Sequence, residues 1–225
     1  VLFRSSASTN VNVQSSSKVT SEIGNVTLTA VTGNLTVATG GRVEALSGST
    51  LANGNVTLNA GDDVLLDATS AVFADNTLTV QGDYPVGADL DPNDGSTMDF
   101  YGDMQAELIE IRGAADNDDV WFSPHTLAGH TRILGGAGND LIEIDQLPTL
   151  ITTRDRIDDG ISALVRDTVD VDGQGGSDDV FVYTHGSGSL QDHDYIVNVL
   201  DTGAKDDGFD TLTIDGTADN DIFLL

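Results

Sequence analysis

Apolar and polar residues alternate in short runs along most of this chain, and the clearest of them, between Ser21 and about Val80, begin at a Gly-Asn, Gly-Asp or Asp-Asn step. From Ser21 to about Val80 the units are Gly24-Asn-Val-Thr-Leu-Thr-Ala30, Gly33-Asn-Leu-Thr-Val37, Gly54-Asn-Val-Thr-Leu-Asn-Ala60, Gly61-Asp-Asp-Val-Leu-Leu66 and Asp75-Asn-Thr-Leu-Thr-Val80. A turn followed by period-2 alternation predicts a half-buried strand. Val26, Leu35, Val43, Val56, Val64, Val72 and Leu78 are the inward positions this predicts. Hairpins would give the same local signals. Repetition at about 20 residues, as from Gly33 to Gly54, favours a β-solenoid in which each coil covers its neighbour. Residues 1–20 are Ser/Thr/Asn-rich with weak alternation and read as a linker or an irregular first coil.

Residues 81–105 break the pattern and read as an acidic loop or joint. Asp89, Asp91, Asn93 and Gly95 approach a calcium-loop spacing. The Gly comes one place late and the terminal Glu is missing, so the match fails.

Over residues 106–225 a different turn recurs. Gly135-Gly-Ala-Gly138-Asn-Asp140-Leu-Ile142-Glu fits the nonapeptide G-G-x-G-x-D-x-U-x at every fixed position. Gly113 to Val120 repeats it with Asp118, and Gly173-Gln-Gly-Gly176-Ser-Asp178-Asp-Val180 repeats it again. Gly208-Phe-Asp210-Thr-Leu212 and Gly216 to Ile222, with Asp221, are looser copies. Glycines let such a turn pass through positive φ, and carbonyl and carboxylate oxygens there suit a hard cation such as calcium. The copies at 135, 173 and 216 are about two coils apart, which predicts intervening plain turns near Asp158-Asp159-Gly160 and Gly186 to Gly188. Strands are expected at Leu108–Ile111, Thr131–Leu134, Leu141–Ile144, Thr149–Thr152, Val180–Tyr183, Tyr195–Val199 and Thr211–Ile214; Ile161–Arg166 has the make-up of a short helix but no convincing cap.

Charge sharpens this picture. The chain carries 37 acids against 9 Lys+Arg, a net of -28. Residues 1–60 hold only Glu22 and Glu44 against Arg4, Lys18 and Arg42, so nearly all the excess lies further along. Such a surface does not suit nucleic acid, and it repels itself unless cations compensate. No segment has the purity of a membrane span. There is no cysteine, so in a secreted protein something other than disulfides holds the turns. With no initiator Met, no leader and a final apparent strand cut short, the chain reads as part of something longer.

Residues 21–80 resemble the strand repeats of filamentous-haemagglutinin-type adhesins, which are right-handed parallel β-helices. The Gly-Asp turns of the second half resemble the hemolysin-type calcium-binding (RTX) repeats of large bacterial secreted and surface proteins. That resemblance implies calcium between adjacent turns. By motif position it implies ligands at Asp118, Asp140, Asp178, Asp210 and Asp221, with carbonyls from Gly113, Gly135, Gly138, Gly173, Gly176, Gly208 and Gly216. True arrays run nonapeptides back to back, whereas single copies here sit about 20 residues apart. Fewer and weaker sites are therefore expected. The metal-free alternative is an Asn/Asp ladder whose side chains cap turn amides.

His125, His130, His185 and His193 are scattered and do not form a zinc pattern. Carboxylates near Asp192, His193, Asp194 and Tyr195, with Arg154 and Arg156, are the material for a polysaccharide lyase or glycosidase, the alternative function. Trp121 is the single tryptophan, few aromatics for a sugar site. The expected whole is an all-β, right-handed parallel β-helix with coils of about 20 residues. Its expected role is a non-catalytic, calcium-binding adhesive module of an extracellular or cell-surface protein. Its partners would be calcium, neighbouring repeats, and a cell surface or polysaccharide, with no nucleic acid and no membrane insertion.

Overall fold

Short alternating runs can bury one face only by pairing with copies of themselves, and the chain does so throughout. The computed structural model describes residues 3–46, 54–85, 95–145, 147–148, 168–184, 196–205 and 207–216. Within these the protein is all-β, and every strand pair is parallel. The first three repeats each contribute three strands: β1 (Phe3–Ala7), β2 (Val11–Val13), β3 (Lys18–Ser21); β4 (Val26–Ala30), β5 (Leu35–Val37), β6 (Arg42–Ala45); β7 (Val56–Ala60), β8 (Val64–Leu66), β9 (Ala71–Ala74). Thereafter come β10 (Thr77–Gln81), β11 (Thr97–Phe100), β12 (Asp103–Arg112), β13 (Asp119–Phe122), β14 (Thr126–Ala137), β15 (Leu141–Asp145), β16 (Thr168–Gly175), β17 (Asp179–Tyr183), β18 (Ile196–Leu200) and β19 (Thr211–Asp215).

Two sheets result. The larger runs β1-β4-β7-β10-β12-β14-β16-β18, with β3, β6 and β9 joined through β12. The smaller runs β2-β5-β8-β11-β13-β15-β17-β19. Strand β12 pairs through Met104 with Val72 of β9 and through Ile109 with Leu78 of β10. One long strand therefore continues two short ones, and its pairing with β14 shifts register between Gln105 and Leu108, the irregularity expected where a strand turns a corner. The larger sheet passes from β10 to β12 without interruption. Within residues 81–105, read as an acidic loop or joint, Thr97–Phe100 form β11 and Asp103 opens β12, and residues 1–20, read as a linker or irregular first coil, hold β1, β2 and most of β3. Residues 86–94, including Asp89, Asp91 and Asn93, lie outside the described residues.

Register makes the core a set of columns. Val26, Val56, Leu78 and Ile109 align in one, and Leu28, Leu58, Val80, Ile111, Ile133 and Val171 in its neighbour. Across from them run Leu35, Val64, Met98, Val120, Ile142 and Val180. All seven inward positions read from residues 21–80 are buried. The expected strands at Leu108–Ile111, Thr131–Leu134, Leu141–Ile144, Val180–Tyr183 and Thr211–Ile214 are present, as is the described part of Tyr195–Val199. Thr149–Thr152 and Ile161–Arg166 fall outside the described residues.

Two spacing readings need correction. Gly33 and Gly54 are not equivalent: Gly33 leads into the smaller sheet and Gly54 into the larger, because each repeat visits both. Nor does a coil intervene between the copies at 140 and 178. Strands β15 and β17 pair directly, Ile142 with Val180, and β17 pairs directly with β19. Extra residues are accommodated between strands, so equivalent turns stand 22 residues apart at one step and 38 at the next. The suggested plain turns at 158–160 and 186–188 lie outside the described residues.

Candidate functional site

Each strand of the smaller sheet from β11 onward is entered through a turn whose last residue is Ser or Asp, and parallel pairing stacks those turns. Their polar side chains line up as the core columns do. The amide of Ser96 donates to Oδ1 of Asp118 at 2.8 Å, and that of Asp118 to Oδ1 of Asp140 at 2.9 Å. The amide of Asp140 donates to Oδ1 of Asp178 at 2.8 Å, and that of Asp178 to Oδ1 of Asp210 at 3.0 Å. Four of the five aspartates singled out from the sequence thus form one continuous ladder. Asp221 lies outside the described residues, and Gly216 is exposed at the end of β19.

A second ladder runs beside the first in the opposite sense. Asn117 Oδ1 accepts the amide of Asn139 at 2.7 Å, and Asn139 Oδ1 that of Ser177 at 2.8 Å. Consecutive backbone amides point up and down the stack, so consecutive side chains cap in opposite directions. Asn10 with Asn34, and Asn25 with Asn55, do the same among the earlier turns. Buried turn amides need partners, and these residue types supply them.

The first glycine of the motif has a steric cause. A Cβ on Gly135 would collide with Oδ2 of Asp140 in its own turn, and Gly113 and Gly173 stand likewise against Asp118 and Asp178. The fourth-position glycines serve stacking instead. Gly138 and Gly176 have φ of +143° and +134°, and a Cβ on Gly176 would strike the carbonyl oxygen of Gly138 one turn away. A Cβ on Gly208 would meet the carbonyl of Gly176 in the same way.

Electrostatically the ladder is costly. Asp118, Asp140 and Asp178 are each 2% exposed. Asp118 has hydrogen bonds at both carboxylate oxygens, from the hydroxyl of Ser96 at 2.7 Å and the amide of Ala114 at 2.9 Å as well as the Ser96 amide. Burial still pushes its pKa up. Asp140 keeps only the Asp118 amide. Its Oδ2 is buried without a hydrogen-bond partner, and burial, with the charges of Asp118 and Asp178 beside it, pushes its pKa up to about 7. Asp178 is raised by burial and by Asp210, Asp201 and Asp207.

Among the described residues no three His, Cys, Asp or Glu side chains converge as a metal-holding group. His125 pairs with Asp103 at 2.8 Å, and His130 reaches Thr168 at 2.7 Å and Asp170 at 3.3 Å. The alternative enzymatic residues Arg154, Arg156, Asp192, His193, Asp194 and Tyr195, with His185, lie outside the described residues. Ser96 is the ladder member that sequence reasoning missed. It stands 22 residues before Asp118, the step that separates Asp118 from Asp140, and that spacing was the available signal.

Compared with known proteins, the chain matches no family model, no curated protein and no solved structure.

Proposed function

We propose that this chain is a non-catalytic structural and adhesive module of a secreted or cell-surface protein, built as a right-handed parallel β-solenoid and rigidified at its acidic turns by calcium. The observation that carries this reading is the aspartate ladder. It places Asp118, Asp140, Asp178 and Asp210 in successive turns, and burial of the first three is unfavourable without a compensating positive charge. Asp140 fits a hard cation best, because its Oδ2 is buried, ionisable and unpartnered. A cation there would draw its further oxygens from Asp178 and the Gly-rich turn carbonyls, because both carboxylate oxygens of Asp118 already accept hydrogen bonds. Calcium, when bound, supplies positive charge that offsets the mutual repulsion of the ladder.

A metal-free ladder is the second reading, favoured by the Oδ1 atoms, each of which already accepts a turn amide. Chelation separates the two. A ligand that binds only the folded state raises its stability, so the calcium reading requires a lower melting temperature in EDTA and recovery on adding calcium. A melting temperature indifferent to both leaves the ladder as a hydrogen-bond device alone.

A further inference from the structure

Basic and acidic side chains are not shared evenly between the two sheets. Lys18, Arg42, Arg112 and Arg132 lie on strands of the larger sheet and pair there, with Glu44 or Glu110. Among the described residues, no strand of the smaller sheet contains a Lys, Arg or His. Its outer face instead mixes rings and carboxylates. In register across β13, β15 and β17 stand Trp121, Glu143 and Phe181, with Tyr183 two residues further along β17. Phe181 and Tyr183 stack at 6.4 Å and 12°, and Trp121 leans towards Tyr183 at 6.4 Å. All three rings are partly exposed. Asp119 and Asp179 are exposed at the start of the same strands, and Asp145 and Asp215 flank Tyr183.

The larger sheet shows what completes such a face. There the guanidinium of Arg42 lies 5.1 Å from the centre of the Phe73 ring while its nitrogens meet Glu44 at 2.7 Å. Ring, carboxylate and arginine form a closed set. The smaller sheet presents the first two members and has uncharged hydroxyls where the third would stand: Tyr183 donates to Oε1 of Glu143 at 3.0 Å and Thr211 to Oδ1 of Asp179.

We propose that the outer face of the smaller sheet, around Trp121, Glu143, Phe181 and Tyr183, docks an arginine-rich extended segment of a partner protein. Charge complementarity selects a cation. The pairing of flat rings with carboxylates selects guanidinium over ammonium, since guanidinium both stacks on aromatics and bonds carboxylates bidentately. A neutral glycan would leave the carboxylates uncompensated, and an anionic one would be repelled. The docking face adjoins the turn ladder, since Asp119 and Asp179 directly follow Asp118 and Asp178, but its rings and Glu143 stand two or more residues further along the strands.

The test uses the full chain in calcium-containing buffer with hexaarginine as the probe, followed by the fluorescence of Trp121 and by calorimetry. Saturable binding is expected. Paired Glu143→Gln and Asp179→Asn should weaken it about tenfold, and Tyr183→Leu about fivefold. Paired Glu22→Gln and Glu107→Gln, which remove the same charge near the larger sheet, should change it less than about twofold. Hexalysine should bind several-fold more weakly than hexaarginine. Circular dichroism confirms that each variant is folded. Equal weakening by both acid pairs, or indifference to Tyr183→Leu, would show a diffuse polyanion effect and overturn the proposal. So would binding of a neutral glucan through the same residues without binding of the peptide.

Discussion

At Gly135 a single hydrogen in place of a side chain lets the Asp140 carboxylate fold back against its own turn. Gly135→Ala should therefore cost at least about 2 kcal/mol in urea unfolding, because the new methyl group displaces a buried carboxylate from its amide. Gly175, nominally another glycine of the same motif family, has its nearest neighbours at 3.6 Å and 3.7 Å. Gly175→Ala should stay within about 0.5 kcal/mol. A second contrast concerns the inward position two residues after Asp140. Ile142 is fully buried between Val120 and Val180, so Ile142→Ala should cost roughly 2–5 kcal/mol. Both the aspartate and the apolar residue were legible from the nonapeptide pattern, since each is fixed by chemistry at one position. The partner of each aspartate was not legible. It is the amide of a residue 22, 32 or 38 positions away, and insertions between strands hide that distance.

On the scale of the strand and turn, the ladder makes stability depend on pH in an uncommon direction. Asp140 is raised to about 7, and Asp118 and Asp178 are raised as well. In the window between the ordinary carboxylate range and about pH 7 the folded chain then holds more protons than the unfolded chain. By linkage, stability falls as pH rises through that window. Without calcium, the melting temperature should be higher near pH 5 than near pH 8. Glu44, held low by Lys18 and Arg42 despite its burial, works the other way and penalises more acidic solutions. Calcium should flatten the decline above pH 5. Asp140→Asn sharpens the test: the amide oxygen still accepts from Asp118, but the charge is gone. The variant should be more stable than the parent in EDTA and less stable than the parent in saturating calcium, as read by thermal melts in both buffers.

Alternation at period two was enough to predict the strands of the clear repeats, their inward residues and a repeating all-β architecture, because burial of one face depends only on local pattern, whereas β1–β3 and β11 fell in stretches of weak alternation read as linker or loop. The assignment of Gly33 and Gly54 to one register failed because the chain visits two sheets in each repeat and both turns carry the same Gly-Asn signal. The step from 140 to 178 failed for a related reason. Loops between strands lengthen without disturbing pairing, so an even spacing is not a property of the stack. What propagates through the whole molecule is the parallel register, carried in the core by columns of Val, Leu and Ile and at the turns by columns of Asp and Asn. A molecule built this way concentrates negative charge along a line of turns and along one sheet face, and its net of -28 repels itself in the folded state at low salt.

The most direct measurement is the thermal melt of the intact chain at low salt and neutral pH, first with calcium, then with excess EDTA, then with calcium restored. A fall of several degrees is expected in EDTA, reversed by calcium and less effectively by an equal concentration of magnesium, which demands near-octahedral geometry and dehydrates reluctantly. Coincident melts in all three conditions would contradict it.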